Sequence, residues 1–196
     1  TRAIQGPVDT VLVTSMAERD KALLDLAITL GLSCIRGSEH DVLERFETVL
    51  ALYHPDAVMR ITGDCPLLCT DVCEQVLSAY NTREPGVEYV SNDTLVSGWP
   101  DGTACEVVSA YAIHEAARHA TSAQDREHVT PWIRRHLRTA TVLYDRKVAQ
   151  AESWTHLKWS VDCPEDLSLV RQIFGHLPRG TYTFPAALTA ARASWC

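Results

Sequence analysis

The feature that most constrains this chain is an alternation. Short runs rich in β-branched residues are separated by longer stretches whose apolar residues recur at helical spacing. That pattern belongs to α/β folds, in which helices cover the faces of a sheet. Residues 8–14 (VDTVLVT) predict a buried strand. A helix opening at Ser15 or Glu18 and running to Leu30 comes next, with Leu23, Leu24, Ala27 and Leu30 on one side and Gly31 ending it. Residues 33–36 predict a short strand, and 39–53 a helix whose Val42, Leu43, Phe46, Val49 and Leu50 share one face.

Downstream, strands are expected over 57–62, 87–91, 104–108, 139–145 and 157–161. Helices are expected over 70–80, opened by Thr70 and Asp71, and over 110–119, 162–174 and 186–193. Pro131 disfavours helical backbone at the residue before it, so 125–137 predicts two short helices. The polar stretch 92–103, with Gly98, Pro100 and Gly102, reads as an exposed loop near a site. No internal repeat, low-complexity tract or linker interrupts the pattern, so residues 1–196 read as a single domain.

Composition excludes several function classes. No run of eighteen apolar residues is present, so no membrane span is expected, and the N-terminus lacks the apolar core of a secretory signal. A cytoplasmic location is the default. The formal net charge of −7 argues against a nucleic-acid binder. The densest basic cluster, Arg134, Arg135 and Arg138, sits on an amphipathic stretch where a solvated face is the commoner explanation. Seven cysteines include no CxxC pair, so buried reduced thiols are expected rather than a zinc ribbon or a redox motif. No partnered His marks a catalytic Cys.

Two segments repeat one design: a strand, then Gly63-Asp64-Cys65-Pro66 or Val161-Asp162-Cys163-Pro164, then a helix. In open α/β sheets ligands gather beyond the carboxyl ends of strands. If the two ends converge, Asp64 and Asp162 can hold magnesium, with phosphate oxygens and water completing its octahedron. Taken singly, an aspartate before Pro at a helix start is also a common cap.

Longer words decide between these readings. In order they are Arg36-Gly37-Ser38-Glu39-His40-Asp41-Val42-Leu43-Glu44-Arg45, Arg60-Ile61-Thr62-Gly63-Asp64-Cys65-Pro66-Leu67, Tyr89-Val90-Ser91-Asn92 and Pro100-Asp101-Gly102. Arg126-Glu127-His128-Val129-Thr130-Pro131 and Trp159-Ser160-Val161-Asp162-Cys163-Pro164-Glu165-Asp166-Leu167 complete the series. With these words, residues 9–174 resemble the cytidylyltransferases typified by spore-coat polysaccharide biosynthesis proteins, which are similar to CMP-sialate and CMP-3-deoxy-manno-octulosonate synthetases.

The resemblance implies a three-layer, Rossmann-like (GT-A-like) α/β sandwich with a mostly parallel sheet. It implies CTP as the nucleotide, a small sugar or sugar acid as the acceptor, and pyrophosphate as the leaving group, in surface glycan biosynthesis. Asp64 and Asp162 would be catalytic through a bound Mg2+, while Arg36, Ser38 and Arg60 would lie near the nucleotide. Asp101, Glu106, Arg126, Glu127 and His128 would face the acceptor. A homodimer is left open.

The family pattern opens with a strand and a Gly/Arg/Lys loop that cradles the triphosphate. Residues from Thr1 onward match only the portion of the pattern downstream of that loop, so the expectation is an N-terminally incomplete copy. The acidic residue that the family carries two positions after the Asp-Gly pair is Ala104 here. Two alternatives stand beside the enzyme: a nonenzymatic nucleotide- or partner-binding remnant of the fold, and a nucleotide-sugar glycosyltransferase. The latter would normally show an Asp-x-Asp motif, which is absent.

Overall fold

The computed structural model describes residues 9–93, 97–144 and 154–194. The N-terminal stretch through Val8, residues 94–96 of the expected loop, Asp145 at the end of an expected strand, and Cys196 lie outside the described residues.

The elements keep to the alternation in the sequence. They are β1 (Val11–Ser15), α1 (Lys21–Leu30), β2 (Ser33–Gly37), α2 (Val42–Tyr53), β3 (Ala57–Arg60), α3 (Thr70–Asn81) and β4 (Val87–Ser91). Then come β5 (Glu106–Ser109), α4 (Ala110–His119), α5 (Ala123–His128), α6 (Pro131–His136), β6 (Arg138–Thr141), α7 (Pro164–His176) and α8 (Phe184–Ala193). Two short helices, α5 and α6, form as expected, but Thr130 before Pro131 keeps helical dihedrals (φ −96°, ψ −13°) and the break falls at Val129 (φ 69°), while Pro131 takes the first position of α6, where it has no N–H to lose. Gly31 ends α1 in the left-handed conformation at φ 61°.

The sheets are small and mixed rather than mostly parallel. β1 and β2 pair in parallel, with Val11 opposite Ser33, and a four-stranded sheet runs in the order β3-β5-β4-β6. Neighbouring β4 and β5 are joined through a loop that holds no helix among the described residues, so this pair is not the strand–helix–strand unit that builds parallel sheets. The strand expected over 157–161 is also absent. Only a parallel bridge between Asp101 and Lys158 forms there.

Two compact units divide the chain. The first holds the residues through Val58, Gly86–Tyr89 and Val108–Thr139. Its core gathers Leu43 and Leu50 of α2, Val108, Ala112, Ile113 and Ala116 around α4, and Ile133 of α6. Each fully buried Leu or Ile contributes about 2–3 kcal/mol. The face expected to bury α1 is largely open: Ala27 is buried, while Leu23 and Leu30 are 41% and 48% exposed. The two-stranded β1–β2 sheet is too narrow to cover a whole helix face.

Polar anchors also order this unit. Asp125 is buried and accepts both bonds from Arg135 Nη2, at 2.6 and 2.7 Å, together with the Ser122 hydroxyl at 2.7 Å. Arg135 therefore bridges α6 to α5 instead of merely facing solvent. Arg135, and then Ser122, hold the Asp125 carboxyl below the usual carboxylate range. Because the folded value is depressed, its stabilisation is complete above the unfolded carboxylate pKa of about 3.9 and fades as pH falls through the folded value. Asp125→Asn should therefore destabilise at neutral pH and flatten the loss of stability below about pH 4, measured by denaturant titration at a series of pH values.

The second unit holds Met59–Pro85, Val90–Val107 and the residues from Ala140 onward. Trp159 is buried to 1% exposure among Trp99, Phe184, Val72, Ile173 and Ala187. The Trp99 ring meets Tyr144 and Phe184 edge-on, at centroid distances of 4.8 and 5.2 Å.

Asp71 does more here than open its own helix. Its Oδ1 accepts from the Phe184 N–H at 2.9 Å, capping the start of α8, while the Thr70 N–H donates to the Tyr182 carbonyl at 2.7 Å. Removing that cap in Asp71→Ala should cost about 1 kcal/mol, read as a shift of the unfolding midpoint.

Candidate metal and nucleotide site

Three turns of the second unit build the site. Thr62 to Cys65 forms the first, closed by the Cys65 N–H to the Thr62 carbonyl at 3.3 Å, which leaves the Asp64 side chain exposed. α3 starts only at Thr70, so Asp64 does not cap it. On the second turn, Asp166 does the capping. Its Oδ2 accepts from the N–H groups of Asp162 at 2.9 Å and Cys163 at 3.1 Å. Asp162 itself is spared that task, and its side chain is 62% exposed. The two turns are tied to each other by the Val161 N–H, which donates to the Asp64 carbonyl at 2.8 Å.

The third turn joins them. Thr103 donates through both its N–H (3.3 Å) and its hydroxyl (2.8 Å) to the Pro100 carbonyl, and Gly102 sits in that turn at φ 89°. The Asp101 N–H donates to the Leu157 carbonyl at 3.1 Å, and the Trp159 N–H donates to the Asp101 carbonyl at 2.8 Å. Asp101 Oδ2 accepts the Ser160 hydroxyl at 2.7 Å. Buried Asn92 closes the loop behind, donating to the Thr103 carbonyl at 3.0 Å and accepting from the Cys105 N–H at 2.8 Å.

Together these turns line a cavity of about 250 Å³ bounded by Arg60, Thr62, Asp64, Cys65, Asp93, Asp101, Ala104, Glu106, Ser160 and Asp162. Of the residues singled out in the sequence, Arg60, Asp64, Asp101, Glu106 and Asp162 meet here. Arg60 Nη1 lies 2.5 Å from Glu106 Oε2, a nearly buried pair. Ala104 also lines the wall. Burial pushes the Cys65 thiol up to about 11, so it stays protonated and is no nucleophile at neutral pH.

Asp93, Ser160, Lys158 and Asp166 belong to this constellation although the sequence does not single them out as site residues. Ser160 and Asp166 stand inside the same word as Asp162, and Lys158 immediately precedes it; that adjacency is the available signal. Lys158 Nζ lies 2.8 Å from Asp162 Oδ2 and 2.6 Å from Asp166 Oδ2. Asp162 and then Asp166 hold its ammonium above the ordinary lysine range. Lys158, and then the Asp162 N–H, hold the Asp166 carboxyl well below the carboxylate range.

The other expected site residues belong to the first unit. Arg36 donates to the carbonyls of Ser15 at 2.8 Å and Ala17 at 2.9 Å, and Ser38 Oγ accepts from the Asp41 N–H at 3.1 Å. Arg126 grips Asp41, the cap of α2, at 2.7 Å and the Ala117 carbonyl at 3.0 Å. Glu127 and His128 are exposed at the end of α5. The next residue, buried Val129, holds φ 69° and ψ −55°, with the Thr130 N–H bonded to the His128 carbonyl at 2.8 Å. That is a strained γ-turn for a β-branched residue.

Hard carboxylate oxygens at the mouth of one cavity, not consumed in capping, suit a hard divalent cation. Among the described residues no three His, Cys, Asp or Glu side chains gather closely enough to hold an ion alone. The fit is to an ion that shares its coordination with phosphate and water.

The model of the family described as Cytidylyltransferase matches residues 2–177. The chain belongs to the cytidylyltransferase family, a family of nucleotidyltransferase enzymes. A solved cytidylyltransferase from Leptospira borgpetersenii serovar Hardjo-bovis superposes with a TM-score of 0.84 at 17% identity, covering 93% of this chain and 75% of that one. It shows that this cytidylyltransferase chain shares that α/β fold.

The spore coat polysaccharide biosynthesis protein SpsF of Bacillus subtilis is 33% identical over 127 residues, 64% of this chain and 50% of that protein. An uncharacterized protein of Methanocaldococcus jannaschii is 34% identical over 125 residues, 64% of this chain and 49% of that protein. The match thus spans about half the length of these curated relatives. Among the described residues no helix is long and apolar enough to cross a membrane.

Proposed function

We propose that this chain carries the metal- and acceptor-binding part of a CTP-dependent cytidylyltransferase. It activates the hydroxyl of a small sugar or sugar acid as its CMP derivative, in cytoplasmic precursor synthesis for a surface polysaccharide. The three-layer, GT-A-like arrangement is the fold that such a reading requires. The observation that carries it is the joining of the Asp64 and Asp162 turns at one cavity, with Asp166 relieving Asp162 of helix capping.

The acceptor hydroxyl oxygen attacks the α-phosphorus of CTP and its proton passes to water. The bond from that phosphorus to the bridging oxygen breaks, and pyrophosphate leaves with the electron pair. Such a transfer needs positioning and charge neutralisation rather than a covalent nucleophile. Asp64 and Asp162 would hold Mg2+, which when bound offsets the triphosphate charge and the charge developing in transfer. Asp101, steadied by Ser160, and Glu106, steadied by Arg60, accept hydrogen bonds from acceptor hydroxyls. Arg60, on the wall of the same cavity, would serve the nucleotide.

The test is pyrophosphate release from CTP with Mg2+ across a panel of sugars and sugar acids. Magnesium-dependent release is expected, and Asp64→Asn and Asp162→Asn should each cut it by about 100-fold or more. Release that is indifferent to both substitutions would overturn the assignment. No release with any acceptor would favour a nucleotide-binding role without chemistry.

A further inference from the structure

The cavity is strongly acidic, with Asp64, Asp93, Asp101, Glu106 and Asp162 on its walls and the charge of Arg60 already matched by Glu106. A triphosphate brings more negative charge, so what neutralises this region sets the order in which ligands can enter. Just beside the cavity, Lys158 has two acidic partners with different needs. Asp166 is fixed by two backbone N–H groups whether or not Lys158 is present. The Asp162 side chain, 62% exposed, is engaged by Lys158 at 2.8 Å. The Lys158 backbone cannot wander, because its neighbours bond both ways to Asp101 and Trp159 is fully buried. Its side chain is 44% exposed and anchored at its tip by Asp166.

Resting on the metal reading above, we infer that Lys158 is a positioning residue that couples uptake of the divalent cation to uptake of the nucleotide. Its ammonium stands in for a cation on Asp162 while CTP is absent, and turns to the triphosphate when the cation–nucleotide complex arrives. A free divalent ion must displace the ammonium from Asp162, which weakens its binding. The triphosphate gives that ammonium a new acceptor, which removes the penalty. Cation and nucleotide therefore favour each other's binding, and by linkage the coupling is reciprocal.

The test uses Mn2+ as the probe on the full chain, followed by its electron paramagnetic resonance signal, with CTP binding measured by calorimetry. Lys158→Met should bind Mn2+ alone more tightly by about fivefold, the scale of an exposed ion pair. It should also bind CTP in the presence of Mn2+ about tenfold more weakly, the scale of a charge-assisted hydrogen bond. Opposite signs separate this role from a merely structural one, which would move both affinities the same way. Lys158→Arg, which can still bridge two carboxylates, should behave like the parent, and Lys158→Gln should match Lys158→Met. If Mn2+ binding is lost in Asp162→Asn yet Lys158→Met changes neither affinity, or weakens both, the inference on Lys158 fails alone. If Asp162→Asn leaves Mn2+ binding intact, the metal reading fails and takes this inference with it.

Discussion

Replacing Gly102 with alanine is expected to lower stability by about 2–4 kcal/mol and to open the site at the same time. Two independent penalties meet at this residue. Its φ of 89° lies where an L side chain is strained. A Cβ built there would also press into the backbone of Trp159 and Ser160, well inside van der Waals contact. Those atoms cannot yield cheaply: Trp159 is locked in the core, and its N–H is bonded to the Asp101 carbonyl.

Relief of the clash would therefore part the Asp101 turn from the 157–161 segment and break the Ser160–Asp101 bond. Urea titration would show the fall in stability. Gly63→Ala supplies the control, because nothing beyond its own chain neighbours lies within 4 Å of its Cβ position and its φ is not positive. Equal, small effects at both glycines would show that the close approach at Gly102 does not hold the loop.

The second large effect separates two aspartates four positions apart. Asp162→Asn should leave the unfolding midpoint nearly unchanged and cut magnesium-dependent pyrophosphate release by about 100-fold or more. Asp166→Ala should do the reverse in character. It removes the acceptor for the Asp162 and Cys163 N–H groups, so the start of α7 frays and the thermal midpoint falls. Turnover of the remaining folded protein should fall far less than in Asp162→Asn, since Asp166 lies outside the cavity lining. If both variants lose stability alike and activity alike, Asp162 is a structural residue.

The contrast shows where sequence patterns stop. In the run Asp162-Cys163-Pro164-Glu165-Asp166, capping and metal binding draw on the same residue type, and spacing alone leaves both open. The side chains settle the capping: Asp166 reaches back over the first turn of α7, and Asp162 faces the cavity. A similar ambiguity surrounds Arg135, whose place in a basic run suggests a solvated face. Its partner Asp125 lies on the preceding helix, and only the turn of the chain at Val129 brings the two together. The expected apolar face of α1 illustrates the opposite error, because periodicity shows which residues could be buried but not how much surface is there to cover them.

By itself the sequence determined the order of strands and helices apart from the 157–161 segment, the pair of short helices across 125–137, the stop at Gly31 and the family. It also marked out the two Asp-Cys-Pro turns. These depend on side-chain periodicity, on local backbone preference and on words of a few residues, all of which are short-range. Tertiary structure alone decided that the 157–161 segment forms a bridge to Asp101 rather than a strand, that the Asp64 and Asp162 turns are tied through Val161, and that Lys158 sits between Asp162 and Asp166. The physical reason is that the first two rest on hydrogen bonds between backbone groups, which every residue carries alike. Which of them meet is set by how the core around Trp159 packs, and no local pattern records it.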